Sequence, residues 1–172
     1  AFRCGLILCC MRGSGNMAAN EETLRLVRKH LPGGVVCAID LAGAEALFPT
    51  SDYAGLFEQA RAQQIPMTIH AGESAGPESI RQALSFGTKR IGHGITAAGD
   101  PALVRQLAEA GVTLEVCPTS NVQTKGAVSL EQHPIRALFD AGVRVTVNSD
   151  NMTVSNIDLP REIALLKTHF GF

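Results

Sequence analysis

With 172 residues, the chain has the size of one domain with a substantial core. Hydrophobic residues make up 45% and charged residues 18%, the balance of a globular protein and not of a disordered one. The net charge of −1, with basic residues scattered along the chain, argues against a nucleic-acid partner or a membrane surface, and the apolar runs are far too short to span a bilayer.

Taken in chain order, β-rich runs alternate with helical patterns. A strand over 5–11 lacks the basic leader and cleavage site of a signal peptide and starts abruptly. A helix over 21–30 sets Leu24, Val27 and Leu31 at helical spacing and stops at Pro32-Gly33-Gly34. A strand over 35–40 precedes a helix over 53–64, with Ser51 or Asp52 as its cap; a strand over 66–70 precedes a helix over 77–86 that ends at Gly87. A strand over 90–93 leads to Asp100-Pro101, an N-cap with proline at the first helical position, and that helix ends at Gly111. Strands over 112–117 and 144–148 flank a helix running from His133-Pro134 to Gly142, and Asp158-Leu159-Pro160 opens a last helix through Lys167. The strands read as short, apolar and unalternating, as expected of parallel strands covered on both faces. The five cysteines (Cys4, Cys9, Cys10, Cys37, Cys117) are odd in number and lie in apolar runs, so they read as buried thiols of a cytoplasmic protein.

This alternation predicts an α/β fold with a parallel sheet, either open and doubly wound or a (β/α)8 TIM-type barrel. No glycine-rich phosphate loop is present. The polar residues favour the barrel. Asp40, His70, His93, the corner from Cys117 through Asn121, and Asp150 each follow an apolar strand, and in a barrel all such ends face one mouth.

Five motifs occur in order: Ile39-Asp40-Leu41-Ala42-Gly43-Ala44-Glu45; Thr68-Ile69-His70-Ala71-Gly72-Glu73; Arg90-Ile91-Gly92-His93-Gly94; Cys117-Pro118-Thr119-Ser120-Asn121-Val122-Gln123-Thr124; and Val147-Asn148-Ser149-Asp150-Asn151. Together they closely resemble the adenosine deaminase family of the metal-dependent amidohydrolases. The resemblance implies that His70 and Asp150 ligate a catalytic Zn2+. It implies that Glu73 protonates a ring nitrogen of the purine, and that His93 orients the metal-bound water and assists its proton transfer. Gly43 matches the glycine whose amide faces the purine, and Asn151 stands where many members carry a second aspartate that contacts N7. The implied reaction is hydrolytic deamination of adenosine and 2′-deoxyadenosine, with another aminopurine, another amidohydrolase reaction or a non-catalytic binding role as alternatives. The implied partner is a small purine nucleoside.

The chemistry is coherent in its own terms. A metal lowers the pKa of its bound water from about 15.7 toward 7, and attack on an aromatic carbon is easier when an adjacent nitrogen takes up a proton. Glu73 must have a raised pKa to supply that proton, which an apolar pocket and neighbouring carboxylates favour. Read without the motif, Glu73 is a loop carboxylate or a cap; Asp40 orients the loop after it, Glu45 caps a short turn, and Asn121 secures the loop after Pro118. His30, His133 and His169 are assigned no chemistry.

One family feature is missing. Of the five histidines, no two are separated by a single residue, so the His-x-His pair that supplies two further ligands is expected in an N-terminal segment absent from this chain. Residues 1–172 then read as a partial barrel running from about the third strand to the eighth. Such a piece exposes two sheet edges, which invites self-association, and holds metal weakly.

Overall fold

A computed structural model describes residues 4–172. Six strands alternate with helices: β1 (Leu6–Met11), α1 (Met17–His30), β2 (Val36–Ala42), α2 (Ala54–Ala62), β3 (Thr68–Ala71), α3 (Pro77–Ser85), β4 (Arg90–His93), α4 (Pro101–Glu109), β5 (Thr113–Val116), α5 (Pro118–Gln123), α6 (Ile135–Asp140), β6 (Arg144–Val147), α7 (Met152–Ser155) and α8 (Leu159–Phe170). All paired strands are parallel. β1 pairs with β2, and β3, β4, β5 and β6 follow in chain order. A parallel bridge between Ile39 and Met67 and a bond from the Ile39 amide to the Pro66 carbonyl (3.0 Å) join the two sheets. The result is a partial barrel wall of six strands with helices outside. No helix among the described residues is long and apolar enough to cross a membrane.

The strands do alternate, contrary to the reading of uniformly apolar runs. Ile39, Leu41, Ile69, Ile91, Leu114 and Val116 are buried and belong to the core shared with Leu24, Phe57, Ile80 and Leu103 from the helices. Asp40, His70, Gly92 and Glu115 occupy the alternating positions and line a cavity on the other face. The pairing places His70, Gly92 and Glu115 in one row across β3, β4 and β5. A Cβ on Gly92 would lie 3.1 Å from the His70 Cα, so the bare glycine leaves space beside His70 in the middle of that row.

Helix ends follow local chemistry. The Asp100 carboxylate accepts from the Leu103 amide and caps α4, and Asp158 accepts from the Arg161 amide to cap α8. α1 begins at Met17, four residues earlier than its apolar spacing indicates. Asn20 is buried there and bonds both the amide and the carbonyl of Met11, tying the helix to the end of β1. Neither Ser51 nor Asp52 caps α2, which is entered through a 3-10 turn over Thr50–Tyr53. The corner at Pro118 is itself a helix, α5, with proline in its first turn.

The cysteines need correction. Cys10 and Cys117 are buried, but Cys4, Cys9 and Cys37 are exposed thiols. Among the described residues β1 pairs only with β2, and Ile7, Cys9 and Met11 on its inner face are exposed.

Candidate active site

The ends of the strands converge as their polar residues suggested. One cavity of about 290 Å³ is lined by Asp40, Ala42, His70, Gly92, His93, Glu115, Cys117, Asn148 and Asp150. His93 and Asp150 reach it from left-handed backbone, with φ of 61° and 54°. Histidine and aspartate enter that region more readily than most residues, yet it remains costly, at about 1–3 kcal/mol each. At both places the strand has just ended, and the turn aims the side chain across the mouth.

Glu73 stands between the two histidines. Its Oε2 lies 3.4 Å from His70 Nε2, and its Oε1 lies 3.5 Å from His93 Nδ1, while the two imidazole rings are 4.4 Å apart between centroids. Oε1 also accepts from Asn121 Nδ2 at 2.9 Å and Thr124 Oγ1 at 2.8 Å. Burial pushes this carboxyl up, but His70, His93 and Thr124 outweigh it and hold Glu73 down at about 2. The expectation of a raised Glu73 therefore fails for the chain as it stands, where the bond from His70 leads the interactions that favour its charged form. His93 is pushed below its ordinary range, first by burial and then by His70, against the opposing pull of Glu73 and Asp150.

Glu45, read from the sequence as a turn cap, is buried and does much more. Its carboxylate accepts from the amides of Gly72 (2.5 Å), Glu73 (3.2 Å) and Ser74 (3.0 Å), fixing the loop that carries Glu73. Burial pushes Glu45 up, but bonds from Ser79, Ser74 and Gly72 outweigh it and hold it below the carboxylate range. Arg12 was missed altogether. It lies just past β1, buried, and donates to the carbonyls of Phe48 and His70 (both 2.7 Å) and to Thr50 Oγ1. It thereby ties the ends of β1 and β3 together. Glu115, also missed, accepts from Thr68 Oγ1 at 2.8 Å and from Arg90 Nε at 2.7 Å, closing the cavity floor with an ion pair.

Asn121 is fully buried and reaches beyond its own loop. Its Oδ1 accepts from the Cys117 amide, as a loop-securing role requires, but its Nδ2 contacts Glu73 and His93. His133, given no chemistry from sequence, lies behind it with Nε2 3.2 Å from Asn121 Oδ1. Ser120 donates to Asp150 Oδ2 at 2.7 Å. Asp40 lines the cavity and accepts from the Leu41 amide at 2.7 Å, in keeping with a local orienting role. Gly43 and Asn151 adjoin the cavity without lining it. Gly43 packs against Arg12 with φ of 109°, and Asn151 Oδ1 caps α7 by accepting from Thr153 and Val154.

For a metal, the geometry offers two overlapping groups. Ligand atoms of His70, Glu73 and His93 lie within 4.8 Å of one another, as do those of His93, Cys117 and Asp150. Imidazole nitrogen and carboxylate oxygen are donors that suit a zinc-type divalent cation, so the residues fit such an ion.

The adenosine deaminase family model matches residues 1–172, the whole chain. The chain belongs to the adenosine deaminase family. Among curated family relatives, it is 48% identical over 98% of its length to an adenosine deaminase of Haemophilus ducreyi and 39% identical over 96% to one of Lacticaseibacillus casei. It spans about half the length of both, 50% and 48%. Among solved structures, an N6-methyl-AMP deaminase from Arabidopsis thaliana superposes with a TM-score of 0.87 at 26% identity, covering 98% of this chain and 49% of that one. An adenine deaminase from Arthrobacter aurescens superposes at 0.85 with 28% identity, covering 98% and 51%. These family likenesses identify the wall of strands as part of a TIM-type barrel.

Proposed function

We propose that the complete protein to which this chain contributes deaminates adenosine and 2′-deoxyadenosine hydrolytically, giving the inosine products and ammonia. The observation that carries this reading is the placement of Glu73 between His70 and His93, which line one cavity with Asp150. His70 and Asp150 would hold a Zn2+ together with two histidines from a segment outside this chain, its six strands then serving as the third to the eighth of the barrel. When bound, the cation supplies an activated water as nucleophile. His93 orients that water. Glu73 is the acid that delivers a proton to the purine ring nitrogen. Bound purine, by displacing water from the site, adds to the burial that pushes Glu73 up, the direction an acid requires. Gly43 presents its amide to the purine, and Asn151, with Oδ1 engaged in capping α7, turns Nδ2 toward N7.

Alone, the chain supplies two of the four ligands, holds zinc weakly and does not turn over. The unpaired sides of β1 and β6 lead it to self-associate, with Leu6, Ile7 and Met11 exposed on β1. The test compares zinc content and the absorbance change with adenosine for this chain and for the complete protein. Glu73→Gln in the complete protein is expected to keep zinc and lose roughly 10²–10⁴ in kcat. Near-normal kcat removes Glu73 from the acid role. A second reading, deamination of another aminopurine, is favoured by the solved neighbours named as adenine and N6-methyl-AMP deaminases. Assaying adenine and N6-methyl-AMP beside adenosine decides between them.

A further inference from the structure

We infer that Ile135, His133 and Asn121 form a one-way chain of hydrogen bonds that fixes the hydrogen of neutral His93 on Nε2. His93 then meets its ligand in the cavity as a donor and not as a base.

The direction of the chain is set by groups that cannot reverse. The backbone amide of Ile135 can only donate, and it lies 3.2 Å from His133 Nδ1. His133 Nδ1 is therefore the acceptor nitrogen, and in the neutral ring the hydrogen sits on Nε2. That nitrogen lies 3.2 Å from Asn121 Oδ1 and donates to it. The Cys117 amide, another obligate donor, points at the same oxygen from 3.3 Å. On the far side of the carboxamide Glu73 Oε1, which also takes the Thr124 hydroxyl at 2.8 Å, lies 2.9 Å from Nδ2 and takes one of its hydrogens. The Cys117 amide and His133 between them fix which end of the Asn121 amide is oxygen.

The second Nδ2 hydrogen has His93 Nδ1 before it, also at 2.9 Å. That nitrogen must accept. The opposite tautomer would set two N–H groups against each other at 2.9 Å, in a place where Asn121 is fully buried and no water can separate them. The hydrogen of neutral His93 is left on Nε2, the nitrogen free to serve the cavity that the residue lines. Asn121 and His133 are accordingly positioning residues. In the proposed deaminase, neutral His93 would present an N–H to the attacking oxygen and help to orient it. This meaning rests on the proposed function, but the tautomer does not.

The experiment is a two-bond proton–nitrogen correlation spectrum of the isotope-labelled complete protein, stripped of metal, at a pH where His93 and His133 are neutral. A His93→Gln spectrum identifies the His93 signals. The expected wild-type result is a bare Nδ1 and a protonated Nε2 for both His93 and His133. In Asn121→Asp, made in a Glu73→Gln background so that no second carboxylate shares its proton, the donor facing His93 becomes an acceptor of nearly the same shape, and the bonds from the Cys117 amide and His133 persist. The His93 tautomer ratio is expected to reverse by about tenfold or more. A purely structural Asn121 leaves the ratio unchanged in the folded variant, and that outcome overturns the inference. So does a wild-type His93 protonated on Nδ1, which decides the matter even if Asn121→Asp does not fold. No deaminase activity is read, so failure of the proposed reaction and failure of the tautomer assignment remain distinct.

Discussion

Lowering the pH from 7 toward 4 should destabilise this chain specifically through His133. The side chain is buried against Asn121 and Phe170, and burial alone pushes it down from 6.5 to about 4. Since the folded form resists the proton, the unfolded chain binds more protons between about 6.5 and 4, and stability falls as pH falls through that window. Above about 7.5 the residue is neutral in both states and contributes no pH dependence. The gap between 6.5 and about 4 corresponds to about 3 kcal/mol, at 1.36 kcal/mol for each tenfold change in proton affinity. For a domain of this size that is roughly 6–12 °C in melting temperature. Other groups titrate in the same range, so the assay is a difference: urea unfolding of wild type and of His133→Gln at several pH values. Glutamine keeps a donor for Asn121 but takes up no proton. Wild type should lose about 3 kcal/mol more than the variant between pH 7 and 4. Parallel curves for the two proteins would refute the reasoning, because they would mean that His133 is protonated as easily folded as unfolded.

Glu45→Gln replaces one acceptor oxygen with a donor facing the amides of Gly72 to Ser74. A loss of about 1.5–3 kcal/mol in urea unfolding is expected, and in the complete enzyme a lower kcat from the displaced Glu73. Asn151→Ala removes the α7 cap at a cost of about 0.5–2 kcal/mol. In the complete enzyme it should also shrink the penalty for 7-deazaadenosine relative to adenosine; an unchanged penalty leaves Asn151 only the cap. Asp100, held below its ordinary range by the Leu103 amide and Arg81, stabilises the fold above pH 3.8 and ceases to as pH drops below it. Asp100→Asn should flatten that acid limb of the stability curve while retaining the cap.

The strands and most helices could be read from sequence because their signals are local. Apolar runs bounded by glycine and proline mark the strands, and Asp100-Pro101 and Asp158-Leu159-Pro160 mark helix starts a few residues away. His70, His93 and Asp150 were recognisable because each follows a strand. Glu45, Arg12 and Glu115 were not, since their partners lie far along the chain, and His133 was not because its role depends on the burial of Asn121, 12 residues away. Glu45 reaches 27 residues to Gly72, and Arg12 reaches 58 to His70. Asn121 was half understood: its bond to Cys117 is local, whereas Glu73 is 48 residues distant. α5 was hidden for another reason. Pro-Thr-Ser-Asn is turn chemistry by propensity, and what makes it helical is tertiary, for Glu162 of α8 accepts the Thr119 amide at 3.1 Å. The exposed cysteines follow from a one-sided β1, which no property of the residues themselves announces.

His93 and Asp150 hold the left-handed turns that end their strands, a conformation that glycine occupies freely. A search for variants that survive heat would therefore be drawn to glycine at both positions and would erase the cavity's chemistry while improving the scaffold. Durability and reactivity pull against each other at these two residues. A homologous sequence that carries glycine at both should be the sturdier protein and the chemically silent one.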